Sequence, residues 1–170
     1  MSLIESRLED LGLCLPEPPV PVAAYLPSVV FSNNLVYVSG QDCRKDGQLL
    51  YKGKLGSDLT VDQGKECARQ SMCNCLAALK YSIGDLDRVK RIVKVLGFVA
   101  SAPGFGEQPY VLNGASELLI DIFGDMGKHA RAALGINELP FGTPVEIEMI
   151  VELKEGGEHV FIKPFIRHNQ

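Results

Sequence analysis

The sequence predicts an α+β domain: a mixed sheet with two helices on one face. Three observations predict it. Segments with strand character come in adjacent pairs, 28–31 with 35–39 near the N-terminus and 130–134 with 145–153 near the C-terminus. Two helical segments lie between these pairs, one from Thr60 to about Ser82 and one from Pro109 to about Phe123, and the strand-like run 89–100 separates them. Paired strands with helices inserted favour an α+β layer over alternating βαβ units. Finally, the run 145–153 alternates, with Val145, Ile147, Met149, Val151 and Leu153 interleaved by Glu146, Glu148, Ile150 and Glu152. One face of that strand is therefore core, and the other carries three carboxylates. A fully apolar second sheet face is excluded, so an oligomer sharing a semi-polar interior is expected to cover it.

Each element has a local reason. Ser2-Leu-Ile-Glu5 is a capping-box pattern; Ile4, Leu8 and Leu11 then form one stripe of a short helix that Gly12 ends. Pro16-Glu-Pro-Pro-Val-Pro21 is an extended connector, because proline blocks both helix and ladder. Ser28–Phe31 and Leu35–Ser39 read as strands joined by a Ser-Asn-Asn turn, and a further short strand over Gln48–Tyr51 follows the Asp46-Gly47 turn signal. Thr60-Val-Asp-Gln63 caps the strongest helix and Gly84 stops it. Along it, Cys67, Ser71, Cys75, Ala78 and Leu79 make a face of small residues suited to close packing on a sheet. β-branched density marks Val89–Ala100 as a buried strand, and Pro109 suits the first turn of the second helix, which Gly124 ends. A terminal strand is expected over His159–Ile166.

The chain of 170 residues fits one domain, 1–170, with an N-terminal helix and proline-rich arm over 1–19 and an extension over 154–170. A hydrophobic share of 46% against 22% charged residues is ordinary for a soluble domain. The run Ile92–Ala102 is broken by Lys94 and is too short to span a bilayer. The N-terminus lacks the basic-then-apolar layout of a signal peptide, so a cytoplasmic protein is expected. A net charge of −4 argues against nucleic acid as the main partner, and Arg88-Val-Lys-Arg91 reads as a solvated element end. The five cysteines match no disulfide or zinc framework and read as small buried thiols. The three histidines show no ligand spacing, though His129 lies two residues from Arg131.

Arg131 is the leading site candidate. It stands in His129-Ala-Arg-Ala-Ala-Leu-Gly-Ile136, where a permanently charged guanidinium needs an anionic partner. Its fork fits a carboxylate with two parallel hydrogen bonds. Glu146, fifteen positions on and on a strand, is a candidate to handle a proton or water. The plainer alternatives stay open. Arg131 could form an ion pair with Glu146 or Glu148; Glu146 could simply line a barrel; Ser39 and Asn113 could serve as turn and cap; Tyr25 could anchor the arm.

These residues resemble the RidA/YjgF family, also described as the L-PSP endoribonuclease or translation-inhibitor family, over roughly residues 20–153. The most specific match is Arg131, Leu139-Pro140 and Glu146-Ile-Glu148; Tyr25, Val38-Ser39-Gly40-Gln41 and Val111-Leu-Asn113 support it. The two extensions look like the longer-chain branch. The resemblance implies a chorismate-mutase-like (YjgF) fold in a barrel-forming homotrimer, with sites in the clefts between subunits. It implies hydrolysis of reactive 2-imino or 2-enamino acids to 2-oxo acids and ammonia, as in 2-iminobutanoate/2-iminopropanoate deaminases, without metal or cofactor. In that picture Arg131 holds the substrate carboxylate. Glu146 positions or deprotonates water with help from a backbone carbonyl near Ala133, and Tyr25, Ser39 and Asn113 line the pocket, Tyr25 being the candidate to reach in from a neighbour. Two positions depart from the family pattern. Ala133 stands where many members carry cysteine, and Phe141 where a Lys or Arg is common. A non-catalytic binder of small carboxylic acids on the same scaffold is the alternative reading, and endoribonuclease activity a more distant one.

Overall fold

Helix α1 (Leu3–Asp10) begins where its cap is written: Ser2 Oγ accepts from the Glu5 amide at 3.2 Å. The reciprocal half of the capping box is absent, because the Glu5 carboxylate pairs instead with Lys80. Ile4 and Leu8 are buried, whereas Leu11 is exposed because the helix has already ended. The computed structural model describes residues 2–18, 24–32 and 34–155. The expected terminal strand over 159–166 and part of the proline-rich arm lie outside these residues.

Strands β1 (Ser28–Phe31) and β2 (Leu35–Asp42) form the expected hairpin, but β2 runs on past Ser39. The short strand expected over 48–51 shrinks to β4 (Gln48–Leu49), which pairs only with β3 (Arg44–Lys45) in a separate ribbon. Helix α2 (Val61–Ile83) has the full capping box between Thr60 and Gln63 and stops at Gly84, whose φ of 84° suits glycine. Strand β5 (Val89–Ala100), helix α3 (Gln108–Phe123), strand β6 (Ala130–Ile136) and strand β7 (Val145–Leu153) complete the order.

The main sheet runs β1-β2-β7-β5-β6, with β5 and β6 parallel and every other pair antiparallel. It is mixed, as expected, and α2 and α3 cover the face formed by Val36, Val38, Val95, Ile147, Met149 and Val151. The small-residue face of α2 does what its composition requires. Cys67, Ser71, Cys75, Ala78 and Leu79 are all buried, and Cys75 Sγ lies 3.2 Å from the Ile147 carbonyl of the sheet. The two helices also approach closely: a Cβ on Gly114 would lie 2.9 Å from the Lys65 carbonyl carbon and closer still to its oxygen. The basic run 88–91 ends an element, as its composition suggests. Arg88 Nη1 donates to the last-turn carbonyl of Ile83 at 2.7 Å, and Lys90 and Arg91 pair with Glu152. No described helix is long and apolar enough to cross a membrane.

The opposite sheet face has no helix over it among the described residues. It presents Val29, Phe31, Tyr37 and Leu134, all exposed, together with the β7 carboxylates.

Candidate functional site

The site residues expected from the sequence fall into two groups. Register explains why. Arg131 on β6 lies opposite Val95, whose neighbour across β7 is Met149, and all three face the helices. Glu146 lies opposite Phe98 of β5 and Asp42 of β2, on the uncovered face. Two strand spacings and three residues of rise put the Arg131 and Glu146 Cα atoms about 14 Å apart, with the side chains on opposite faces. An ion pair between Arg131 and Glu146 or Glu148, one of the alternatives above, is therefore not formed within one copy of the chain.

The first group is a cleft of ≈ 1020 Å³ at the β2–β7 end of the uncovered face. It holds Tyr25, Ser39 and Glu146, three of the expected residues, with Tyr37, Arg44 and Phe141. A β-bulge shapes it. β2 advances from Val38 to Gln41 while β7 moves only from Met149 to Ile147, so one extra residue is accommodated at Ser39-Gly40. The bulge lets Ser39 Oγ donate to the Leu26 carbonyl at 2.6 Å, which ties down the segment carrying Tyr25. It also brings Gly40 against Glu146: a Cβ there would lie 3.0 Å from Glu146 Cδ and overlap Oε1. Glycine at this position leaves room for the carboxyl group.

Among the three carboxylates on this face of β7, Glu146 is singular. Tyr37 Oη donates to Glu148 at 2.6 Å, and Glu152 is held by Lys90 and Arg91 at 2.8 and 2.7 Å. Glu146 has no hydrogen-bond or ion-pair partner among the described residues. Burial pushes its pKa up from the ordinary 4.5, and the neighbouring Asp42 and Glu148 carboxylates add to the rise. A half-buried carboxylate with unused acceptor positions and a raised pKa suits a general base.

Phe141 adopts a left-handed conformation (φ 60°) and is 63% exposed. The Arg44 guanidinium sits over its ring, 4.8 Å from the centroid, and pairs with Asp42. A positive charge thus reaches the cleft from β3. Nothing in the local sequence marks this contact, because Arg44 lies far along the chain from Phe141.

The second group surrounds Arg131, where α3 meets β6. Arg131 Nη1 donates to Asn113 Oδ1 at 2.9 Å and to Ser116 Oγ at 3.0 Å, and Nη2 donates to the Pro109 carbonyl at 3.2 Å. Within one copy Asn113, a residue the resemblance places in the pocket, lies with Arg131 and not with Tyr25 and Ser39. Ala133, two residues along β6, faces the same side and packs on the core. No carboxylate meets Arg131 among the described residues. His129 precedes β6. Its Nδ1 lies 2.6 Å from the Gly127 carbonyl and its Nε2 3.0 Å from Ser116 Oγ. Burial holds the imidazole below its ordinary pKa of 6.5; the Gly127 carbonyl opposes this and the Arg131 charge reinforces it. Ser116 was missed in the sequence, although its place three residues after Asn113 puts both on one helix face.

Comparison with known proteins agrees with this architecture. The family described as "YjgF/chorismate mutase-like, putative endoribonuclease" matches residues 5–153. Protein TCP17 of Trypanosoma cruzi is 43% identical over 151 residues, covering 88% of this chain and 94% of TCP17. The structure of Atu1372 from Agrobacterium tumefaciens is similar at 42% identity and a TM-score of 0.83, over 89% of this chain and 94% of that one. A structure from Shewanella oneidensis titled a "putative endoribonuclease" is similar at 35% identity and a TM-score of 0.85, over 88% and 99%. With its five-stranded mixed sheet, its helices on one face and a family match across nearly all the described residues, the chain belongs to the YjgF/chorismate-mutase-like family and has its fold.

Proposed function

We propose that this protein hydrolyses reactive 2-imino and 2-enamino acids to 2-oxo acids and ammonia, at sites assembled between copies of the chain in a homotrimer. The observation that carries this reading is Glu146, the one β7 carboxylate on the cleft face without a partner among the described residues. The cleft alone is a poor home for a carboxylate substrate. Glu17, Asp42, Asp46, Glu146 and Glu148 face a single guanidinium, Arg44, already paired with Asp42. A second cation is needed, and Arg131 meets the requirement from a neighbouring copy. The two groups lie toward opposite edges of the sheet, and a head-to-tail arrangement that closes into a ring would set the β6 edge of one copy against the β1–β2 edge of the next. The same ring would cover the exposed apolar residues of the bare face.

In the composite site Arg131 clamps the substrate carboxylate through its remaining N–H groups. Glu146 takes a proton from water as the water oxygen attacks the imine carbon and the C=N electrons move to nitrogen. Glu146 returns that proton to nitrogen, giving the neutral carbinolamine; the hydroxyl proton then passes to nitrogen, through the same carboxylate, as the C–N bond breaks, so the carbonyl forms and ammonia leaves. An enamine first takes a proton at its terminal carbon and releases one from nitrogen to become the imine. A backbone carbonyl near Ala133 on the β6 edge can hold the water, so this scheme needs no thiol at that position. The acidic cleft would repel phosphate, which supports a small acid over RNA.

The test generates 2-aminoacrylate with a serine dehydratase and follows pyruvate. The wild type is expected to accelerate pyruvate formation and Arg131→Ala to lose most of the acceleration. Saturable 2-oxo acid binding that depends on Arg131, without any acceleration, would establish the non-catalytic binder in its place.

A further inference from the structure

We propose that Ser116 and His129 are positioning residues for Arg131: a hydrogen-bond relay of fixed direction sets the guanidinium, and neutral His129 is the state in which it is set. This rests on the reading of Arg131 as a carboxylate anchor. The direction follows from the atoms. The Gly127 carbonyl can only accept, so the bond at 2.6 Å places a hydrogen on His129 Nδ1. In the neutral ring Nε2 is then a lone pair, and the Ser116 hydroxyl, 3.0 Å away, donates to it. That leaves the Ser116 oxygen to accept from Arg131 Nη1 at 3.0 Å. With Asn113 Oδ1 taking the second Nη1 hydrogen and the Pro109 carbonyl one of Nη2, the guanidinium plane is held from three sides. Nε–H and one Nη2–H have no partner among the described residues. Together they form the fork that accepts a carboxylate.

Protonation of His129 reverses the relay. Nε2 becomes a donor, so Nε2–H and Nη1–H both point at one oxygen, and the hydroxyl hydrogen loses its acceptor. Two cations then share one serine. The charged groups around the imidazole do not offset this. Arg131 on β6 is itself cationic, and Lys128 on the same loop is paired with Asp125 at 2.7 Å. Lys94 of β5, in register with Ala130, lies on the opposite sheet face, and Glu117, next to Ser116 on α3, is exposed. Acidification should therefore loosen the anchor and weaken carboxylate binding, separately from any effect of Glu146 on turnover.

The test uses the full chain and 2-oxobutanoate as the probe, titrated by calorimetry between about pH 5 and pH 8. The wild type is expected to bind more weakly as the pH falls. Ser116→Ala should weaken binding about threefold to tenfold at the upper end, as expected for one lost hydrogen bond, and Ser116→Thr should restore it. His129→Asn, which keeps an acceptor and does not titrate, should flatten the pH dependence. In parallel, 15N NMR of the imidazoles should find His129 as the Nδ1–H tautomer, the less common neutral form. An Nε2–H tautomer, or Ser116→Ala binding like the wild type, overturns the relay. Absence of wild-type binding at every pH overturns the anchor reading and the role given to the relay, while the tautomer still decides the relay's direction.

Discussion

Gly40 offers the sharpest separation between the site and the scaffold. Its φ is not positive, so alanine can adopt its backbone conformation without strain. The obstacle is Glu146. An added methyl would lie 3.0 Å from Cδ and 3.2 Å from Cγ of that side chain and would overlap Oε1. Ordinary carbon contacts begin near 3.5 Å, so the carboxyl group has to swing aside by about 1 Å. A displacement of that size at a reacting group costs on the order of 10²-fold in rate. Stability should hardly change, because a side-chain rotation away from a rotamer minimum costs about 1 kcal/mol and replacing glycine inside a strand returns roughly 0.5–1 kcal/mol. For a chain of this length that balance corresponds to a Tm shift of no more than about 4 °C. The assay pairs dehydratase-coupled pyruvate formation with thermal unfolding of Gly40→Ala. Turnover at the wild-type rate would refute the placement of Glu146 at the reacting centre, and a collapse of Tm would make Gly40 a scaffold residue instead.

Other outcomes follow from the same geometry. Glu146→Gln should abolish turnover while leaving 2-oxobutanoate binding within a few fold, measured by kcat and Kd; loss of both together would mean a structural role. Because the pKa of Glu146 is raised above 4.5 by burial and by Asp42 and Glu148, the base form is lost as pH falls through that raised value, so turnover should decline on the acid side earlier than for an ordinary glutamate. The sign for stability is opposite: above 4.5 the folded state still holds a proton that the unfolded chain has released, so the contribution present at low pH is lost as pH rises through the folded value. Urea titrations of Glu146→Gln should lack that slope. Gly114→Ala should destabilise the fold by about 1–3 kcal/mol, because the added methyl meets the Lys65 backbone and α2 and α3 have to part; unchanged urea midpoints would contradict the close helix approach.

Much of the fold was legible because local signals agreed with one another. The Thr60–Gln63 capping box, the Gly84 stop and the alternation of 145–153 each name one structure, and each element is there. The misreadings came where tertiary context decides. Gln48–Leu49 has strand character but pairs with Arg44–Lys45 in a ribbon of its own, and β2 continues through a bulge that hydropathy does not mark. The identities of Arg131 and Glu146 were legible from spacing and resemblance, but their separation was not. Alternation shows that Glu146 faces away from the core, yet only the pairing of Arg131 with Val95 places the arginine on the other face. The same limit hid Ser116 and Arg44, whose roles depend on contacts between separate elements.

The central claim is that one copy supplies Arg131 and another supplies Glu146. Mixing two inactive variants tests it directly. Arg131→Ala chains keep Glu146 and Glu146→Gln chains keep Arg131, so a composite site regains both groups wherever the right pair of copies meets. Co-assembly of equal amounts should restore about one quarter of wild-type imine hydrolysis, the share of interfaces that random mixing of a cyclic assembly leaves intact. Mixed assemblies that remain as inactive as either variant alone would place the two residues in separate functions and contradict the account.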